Sequence, residues 1–267
     1  MSEYILEARH LTKTYTQRSG KFGFGKTTVK ALNDVSIQLR AGKTLAVVGE
    51  SGSGKSTLAR CLLQLQSIDS GEVIFAGKDL AKLNPEALRT ERKDLQMVFQ
   101  DPFASLNPRM RVGDLVGEGL VIHGLGDAAE RKHKVIAILK RVGLTEADMQ
   151  KYPHEFSGGQ RQRIGIARAL VLQPKVVVCD EPVSALDVSI QAQILLLLKE
   201  LQQEMALSYL FISHDLRVVR HIADDIVVMH QGRVVEHGSV ADIYEHPQHT
   251  YTQNLLAAIP GKKVVNG

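Results

Sequence analysis

A glycine-rich run near the start of the chain has the composition of a phosphate-binding loop. Residues 49–57 read Gly-Glu-Ser-Gly-Ser-Gly-Lys-Ser-Thr, which fits the pattern G-x-x-x-x-G-K-[ST]. The apolar residues 44–48 before it predict a buried strand, and residues 57–63 after it predict a helix. Glycines permit turns that direct backbone N–H groups at phosphate oxygens, beside the positive end of that helix. The run therefore predicts a P-loop that binds a nucleoside triphosphate.

The side chains of this loop have distinct predicted roles. Lys55 is expected to contact the β- and γ-phosphates, and the hydroxyl of Ser56 is a candidate Mg²⁺ ligand. A glycine-rich turn without a ligand is the alternative, and the flanking strand and helix weigh against it. The motif does not separate a kinase from a GTPase, a motor or a pump. The predicted nucleotide-binding residues of the loop are Gly49, Glu50, Ser51, Gly52, Ser53, Gly54, Lys55, Ser56 and Thr57.

A second apolar strand, residues 176–179, ends in two carboxylates. Asp180 is expected to bind Mg²⁺ directly or through water. Glu181 follows at the carboxyl end of a parallel strand, where α/β sheets place their ligand crevice. There it could accept a proton from an attacking water, and a positioned general base contributes about 10²–10⁴-fold to a rate. A solvated loop is the alternative, and the P-loop elsewhere in the chain disfavours it.

Three further patterns are weak individually. Ser157, Gly158, Gly159 and Gln160 precede a helix predicted to begin near Arg161, which offers a second anion site or an ordinary helix cap. A histidine past a predicted strand end could contact the γ-phosphate or could be structural. A glutamine at the end of the predicted strand 95–99 could reach Mg²⁺ or the lytic water. These last two residues are His214 and Gln100.

Composition limits the possible classes of protein. The chain has 267 residues, 44% of them hydrophobic and 23% charged, as in a soluble globular protein. It contains no apolar run long enough to span a bilayer, and its N-terminus lacks the order of a signal peptide, so we expect a cytosolic location. Cys61 and Cys179 lie in apolar contexts that predict buried free thiols. The net charge of +4 is too small to indicate a nucleic-acid partner.

Hydrophobic patterning predicts how the chain is arranged around these motifs. Strands are predicted over residues 3–10 and 29–39, separated by a loop over 17–28, and together they indicate an antiparallel layer beside a parallel core. Residues 101–173 read as a mostly helical insertion. The core then resumes and includes a hairpin that turns at Gln231-Gly232. The predicted fold is an α/β P-loop NTPase core with a mainly parallel sheet, an N-terminal antiparallel β subdomain and an inserted α-helical subdomain.

Taken in this order, the motifs resemble those of the ATP-binding subunits of ABC transporters, over essentially the whole chain. The resemblance implies one ABC-type ATPase domain over 1–267, with a RecA-like core and β layer over 1–100 and 174–245, the helical subdomain over 101–173 and a tail over 246–267. It implies that Tyr15 stacks on adenine, that residues 157–160 are the signature and that Asp187 belongs to the D-loop. Phe156 stands where the signature usually begins with Leu. The implied catalytic residues are Glu181, His214 and Gln100, and the implied metal ligands are Ser56, Gln100 and Asp180.

Residues 98–109, 152–154 and 246–256 are similar to the dipeptide, oligopeptide and nickel importer class, although His249-Thr250-Tyr251 replaces the usual His-Pro-Tyr. This closer resemblance implies an ATPase that uses ATP and Mg²⁺ to power uptake of peptides or a related small solute. The implied partners are transmembrane permease subunits, a second ATPase subunit in a heterodimer or homodimer and, indirectly, an extracytoplasmic solute-binding protein, with no nucleic acid. The implied location is peripheral, on the cytoplasmic face of the inner membrane.

Two alternatives belong to other classes of protein. A soluble ABC ATPase acting in DNA repair or translation usually has tandem cassettes or a long coiled-coil insertion, and neither pattern is present in the sequence. A small-molecule kinase or GTPase would leave the predicted signature and His214 without a role.

Overall fold

Apolar and β-branched runs form the buried strands, as the sequence predicts. All five residues of the strand Thr44–Val48 are buried, and so are all five of Val176–Asp180. The computed structural model describes residues 3–19, 25–101 and 105–259. These belong to two compact units, the first formed by Met1–Leu83 with Leu210–Gly267 and the second by Asn84–Tyr209. In the described residues no helix is long and apolar enough to cross a membrane.

The chain alternates strands and helices through most of its length. The strands are β1 (Tyr4–Ser19), β2 (Gly25–Arg40), β3 (Thr44–Val48), β4 (Ser70–Phe75), β5 (Lys78–Asp79), β6 (Leu95–Val98), β7 (Val176–Asp180), β8 (Ser208–Ser213), β9 (Asp225–His230) and β10 (Arg233–Ser239). The α-helices are α1 (Lys55–Leu62), α2 (Pro85–Arg92), α3 (Val112–Ile122), α4 (Ala128–Arg141), α5 (Gly158–Leu170), α6 (Val188–Met205), α7 (Leu216–Ile222), α8 (Val240–Glu245) and α9 (Thr250–Ala257). Short 3₁₀ turns cover Leu80–Lys82, Glu146–Gln150 and Pro153–Glu155.

The first unit contains the predicted antiparallel layer, a sheet with strand order β2-β1-β4-β5. The loop predicted over 17–28 is wrong at both of its ends, because β1 continues to Ser19 and β2 begins at Gly25, with Ser19 opposite Gly25. Pairing between the two long strands supplies backbone hydrogen bonds that override the weak strand propensity of this polar, glycine-containing segment. The middle of the predicted loop lies outside the described residues.

The first unit also contains the strand that leads into the P-loop. β3 pairs in parallel with β9, which in turn forms an antiparallel hairpin with β10. The predicted turn of this hairpin is confirmed, because Gln231 and Gly232 have positive φ angles of 47° and 75°. Two successive positive φ angles match the twist of a two-residue hairpin.

The second unit combines a parallel strand pair with helices. β6 pairs with β7, so that Leu95 lies opposite Val176. The helix predicted over residues 130–142 is α4, which Asp127 caps by accepting hydrogen bonds from Ala129 N and Glu130 N, both at 2.9 Å. α5 begins at Gly158 rather than near Arg161, because the cap at Ser157 starts the helix earlier than its apolar pattern does.

Asp148 is a buried acidic residue that contacts both ends of the 3₁₀ turn Glu146–Gln150. Its carboxylate accepts hydrogen bonds from the Thr145 backbone N–H and hydroxyl, both at 2.8 Å, and from Lys151 Nζ at 2.7 Å. The Lys151 ammonium holds the pKa of Asp148 below its ordinary value, and the Thr145 donors add to this effect while burial opposes it. The folded chain therefore favours the ionised carboxylate.

We expect Asp148→Asn to lower the free energy of unfolding by about 1–2 kcal/mol at pH 7, because an amide pairs poorly with Lys151. The folded pKa is depressed, so this stabilisation is present above the unfolded pKa of about 3.9 and is lost as the pH falls through the folded pKa. Urea unfolding at pH 7 and near pH 3 measures the difference. Asp127→Asn is the control, since asparagine also caps helices. An equal deficit of Asp148→Asn at both pH values would contradict the prediction.

Candidate functional site

The P-loop follows β3 and is shaped by close backbone contacts within the first unit. Gly49 and Gly54 have positive φ angles of 152° and 106°. A Cβ on Gly49 would collide with the backbone carbonyl of Met229, and one on Gly54 with that of Ala31. Only glycine can therefore occupy these two positions while the loop lies against β9 and β2. The hairpin turn adds a direct hydrogen bond, from Gly232 N to Ser53 O at 3.0 Å.

Lys55 begins α1 and is 5% exposed. Its ammonium group donates to Gly49 O and to Glu50 O, each at 2.8 Å. The predicted phosphate-binding residues thus form one loop that surrounds a buried cation and leads into the N-terminus of a helix. Buried cations and helix N-termini both favour a negatively charged ligand. Ser56 and Thr57 are half-buried in the first turn of α1, while Glu50, Ser51 and Gly52 are exposed.

Gln100 and Glu181 meet in the second unit. Val98 of β6 lies opposite Cys179 of β7 in parallel register, and both polar residues follow two positions later. Gln100 Nε2 donates to Glu181 Oε2 at 3.1 Å. Parallel strands present their carboxyl ends at one edge of a sheet, which is where α/β folds bind ligands. Asp180, the last residue of β7, is 5% exposed.

The backbone of Glu181 adopts an uncommon conformation. Its φ angle is 47°, in the left-handed region that residues other than glycine seldom occupy. The Glu181 carbonyl accepts hydrogen bonds from Ser184 N at 3.2 Å and Ser184 Oγ at 3.1 Å, which close a turn directly after the residue. The chain therefore reverses at once after β7, and the Glu181 carboxylate remains at the strand end beside Gln100.

Gln191 holds the segment between this turn and α6. Its Nε2 donates to Val183 O and to Leu186 O, both at 3.0 Å. Asp187 is the N-cap residue of α6 and is exposed, so its side chain is accessible to a second molecule. No sequence pattern predicted a role for Gln191, which lies in the first turn of α6.

The predicted signature starts α5 with a complete capping box. Gln160 N donates to Ser157 Oγ at 3.3 Å, and Ser157 N donates to Gln160 Oε1 at 3.0 Å. Arg161 connects the start of α5 to the preceding 3₁₀ turn Pro153–Glu155, because its guanidinium donates to Pro153 O at 2.6 Å and to His154 O at 3.1 Å. Gly158 and Gly159 are half-buried between the cap and α6. Arg161 was missed as a positioning residue, because helix propensity alone explains an arginine there.

The positions of two further predicted residues, Tyr15 and His214, do not test the roles predicted for them. Tyr15 is half-buried in β1, with the Lys13 ammonium 5.9 Å from its ring centroid. His214 is exposed directly after β8, and the next residue, Asp215, caps α7 by accepting from Arg217 N at 2.8 Å. Both roles stay predictions.

The donor chemistry of the predicted metal ligands fits Mg²⁺. Across the part of the chain that the structure describes, no cluster of three or more His, Cys, Asp or Glu residues could hold a metal ion. Mg²⁺ on a nucleotide usually takes one or two protein oxygens and completes its shell with phosphates and water. The Ser56 hydroxyl, the Asp180 carboxylate and the Gln100 amide oxygen are oxygen donors of this kind.

Gly159 is the signature residue with the least space for a side chain. A Cβ at this position would lie 2.7 Å from Ile190 Cγ2, whereas one on Gly158 would lie 3.6 Å from Leu186 Cδ2. We expect Gly159→Ala to lower the free energy of unfolding by about 1–3 kcal/mol, because the β-branched Ile190 has little rotamer freedom in a helix.

Ile190→Ala should remove the clash, so the double variant is expected to be more stable than the sum of the single changes predicts. Thermal unfolding of all three variants measures this coupling, with Gly158→Ala as the matched control that is expected to cost little. Strict additivity would show that Gly159 and Ile190 do not interact.

Comparison with known proteins places the chain in a family. The sequence model of the ABC transporter family matches residues 32–184. The chain is 53% identical to the di/tripeptide transport ATP-binding protein of Pseudomonas aeruginosa, over 97% of this chain and 80% of the relative. It is 52% identical to the oligopeptide transport ATP-binding protein of Haemophilus influenzae, over 97% and 79%.

Solved structures agree with the predicted fold. A dimeric ATP-binding cassette in a post-hydrolysis state with ADP and phosphate has a TM-score of 0.77 and 29% identity, over 88% of this chain and 98% of that one. An ABC transporter component from Clostridium perfringens has a TM-score of 0.78 and 29% identity, over 92% of each chain. The predicted α/β P-loop fold with an antiparallel β subdomain and helices is confirmed. The chain belongs to the ABC transporter family and is one of its ATPases.

Proposed function

We propose that this ATPase powers the uptake of peptides or a related small solute by a membrane importer. The observation that best supports the hydrolytic step is the contact between Gln100 and Glu181, an amide and a carboxylate that meet at two parallel strand ends. The names of the similar proteins refer to transport of dipeptides, tripeptides and oligopeptides. Nickel and other small solutes remain within the class that the sequence resembles.

In this proposal Glu181 acts as the general base. Its carboxylate takes a proton from the attacking water, while Gln100, 3.1 Å away, orients the carboxylate and the water. In the same proposal Lys55 neutralises phosphate charge, and the N–H groups at the start of α1 bind phosphate oxygens. Tyr15 stacks on adenine and His214 contacts the γ-phosphate. Ser56, Asp180 and Gln100 would supply the protein oxygen ligands of Mg²⁺, and the ion would add positive charge next to the phosphates.

The signature gives the proposed enzyme a second half-site. Residues Ser157–Gln160 present the N–H groups of an α-helix start, and a helix N-terminus attracts anions. In the proposal these groups bind the γ-phosphate of an ATP held by another ATPase subunit, and Asp187 contacts the same interface. ATP then favours the closed pair because it binds that state more tightly. A heterodimer and a homodimer both satisfy this arrangement.

The helical part of the second unit offers a docking groove for a permease. A cavity of about 590 Å³ is lined by residues of α3, α4 and the turn at Glu146–Gln150, among them the apolar Gly113, Gly117 and Val135 and the charged Arg111, Asp114 and Arg131. A short amphipathic helix from a membrane subunit would present both apolar and charged side chains to such a mixed lining. The ATPase would then be peripheral, on the cytoplasmic face of the inner membrane, and a solute-binding protein would act through the permease.

The proposed base leads to a specific prediction. Glu181→Gln should retain ATP binding and reduce ATP hydrolysis by about 10²–10⁴-fold, because the amide keeps the shape and loses the basic oxygen. Calorimetry gives the affinity and phosphate release gives the rate. Hydrolysis at the wild-type rate would show that another group is the base.

The same background tests the signature. In Glu181→Gln protein with its partner subunit, Gly158→Asp should abolish ATP-dependent association, because a carboxylate would face phosphate. Gly158→Ala is the control, since a Cβ there meets only an ordinary contact with Leu186. Undiminished association of the Gly158→Asp variant would show that residues 157–160 act only as a helix cap.

Transport itself is tested by coexpressing the chain with peptide permease subunits and a second ATPase subunit. The purified complex is then reconstituted in proteoliposomes. We expect co-purification and an ATPase rate that rises about two- to tenfold when the solute-binding protein is loaded with dipeptides or oligopeptides, because solute shifts the complex toward the closed state. The ATPase rate of the complex that contains Glu181→Gln serves as the background rate. Failure to associate with any permease would favour a soluble ABC ATPase, and stimulation by nickel alone would exclude peptides.

A further inference from the structure

The C-terminal helix of the first unit contacts the P-loop through a residue that the proposed mechanism does not use. The Tyr251 hydroxyl, in the first turn of α9, accepts a hydrogen bond from Glu50 N at 3.0 Å. The donor and the acceptor lie 201 residues apart in the sequence. The C-terminal motif around Tyr251 therefore reaches the second residue of the P-loop.

This hydrogen bond acts on the same peptide group as the P-loop lysine. The carbonyl of the peptide bond between Gly49 and Glu50 accepts from Lys55 Nζ at 2.8 Å, and its N–H donates to Tyr251. A trans peptide is planar, with its C=O and N–H directed to opposite sides. Two side chains thus hold the two ends of one peptide plane, and each hydrogen bond polarises the other. Rotation of that plane would move the carbonyl that Lys55 contacts.

Tyr251 is held in place from several directions. Its ring lies against the imidazole of His230, with centroids 4.0 Å apart, and His230 Nδ1 lies 3.1 Å from Glu50 Oε1. Burial raises the pKa of the Tyr251 hydroxyl, so it is a neutral phenol near pH 7 and can accept the hydrogen bond with an oxygen lone pair.

The start of α9 is attached to β10 by one carboxylate. Glu236 accepts hydrogen bonds from Gln248 N at 2.7 Å and from His249 N at 3.1 Å. His249 then caps the helix, because Tyr251 N donates to His249 Nδ1 at 3.1 Å. The hairpin of β9 and β10 therefore sets the position of Tyr251. The same hairpin contacts the P-loop, because Gly232 N donates a hydrogen bond to Ser53 O.

We propose that Tyr251 is a positioning residue of the P-loop. Its hydroxyl fixes the peptide between Gly49 and Glu50, this peptide fixes the ammonium of Lys55, and α9 thereby sets the affinity for ATP. The inference rests on the proposed phosphate-binding role of the P-loop. A purely structural tyrosine would change stability and leave nucleotide affinity as it is.

Tyr251→Phe in the full chain tests the proposal, because it removes the hydroxyl and retains the ring on His230. We expect the KM for ATP and the calorimetric Kd to rise about three- to tenfold, the effect of one lost hydrogen bond, with kcat within about twofold of wild type. Hydrogen exchange of the Glu50 amide should accelerate as well. Glu236→Gln, which weakens the attachment of α9, should raise the KM in the same direction.

Tyr209→Phe is the matched control. The Tyr209 hydroxyl also bonds to a backbone group, Leu198 O at 3.0 Å, and it is buried in the second unit. This variant should lose thermal stability and keep the wild-type KM. An equal rise of KM in Tyr209→Phe would attribute the effect to general destabilisation and overturn the proposal.

Lys55→Ala separates failure of the inference from failure of the proposed function. If Lys55→Ala loses ATP binding while Tyr251→Phe binds ATP as tightly as wild type, Tyr251 is not a positioning residue although the P-loop role stands. If Lys55→Ala also binds ATP normally, the P-loop role is wrong and the inference falls with it.

Discussion

Close packing of the P-loop against the backbone of its neighbours is the constraint on which the nucleotide site depends. The loop passes so near to the carbonyls of Met229 and Ala31 that only glycine fits at positions 49 and 54. Packing at this distance lets Gly232 N bond to Ser53 O, and it leaves Lys55 buried under the carbonyls of its own loop. A buried ammonium is costly unless it is paired, and the carbonyls of Gly49 and Glu50 are partners of this one.

The second unit places a carboxylate beside an amide. Parallel pairing of β6 and β7 brings Gln100 and Glu181 to the same sheet edge, and the left-handed backbone of Glu181 turns the chain away immediately. Strain of this kind costs roughly 1–3 kcal/mol and persists where the surrounding structure over-determines it. Here the Ser184 hydrogen bonds to the Glu181 carbonyl supply that support.

Each unit contains a glycine-containing helix start, and the two starts are supported differently. α1 is preceded by glycines and presents a lysine, so its charge is intrinsic. α5 is preceded by a capping box and braced by Arg161, so its N–H groups are held in place while Ser157 and Gln160 stay exposed. An exposed and rigid helix start is suited to a ligand that arrives on another molecule.

The sequence by itself determined the features that depend on local chemistry. Glycine spacing, apolar strands that end in carboxylates and the Ser-Gly-Gly cap predicted the P-loop, β7 and α5, and the order of these motifs predicted the family. The tertiary structure alone decided the contacts between distant residues. Pairing with β2 extended β1 through a predicted loop, Ile190 limited the space at Gly159, and α9 brought Tyr251 to Glu50. Such contacts arise from the packing of whole elements, and no short window of sequence specifies which surfaces will meet.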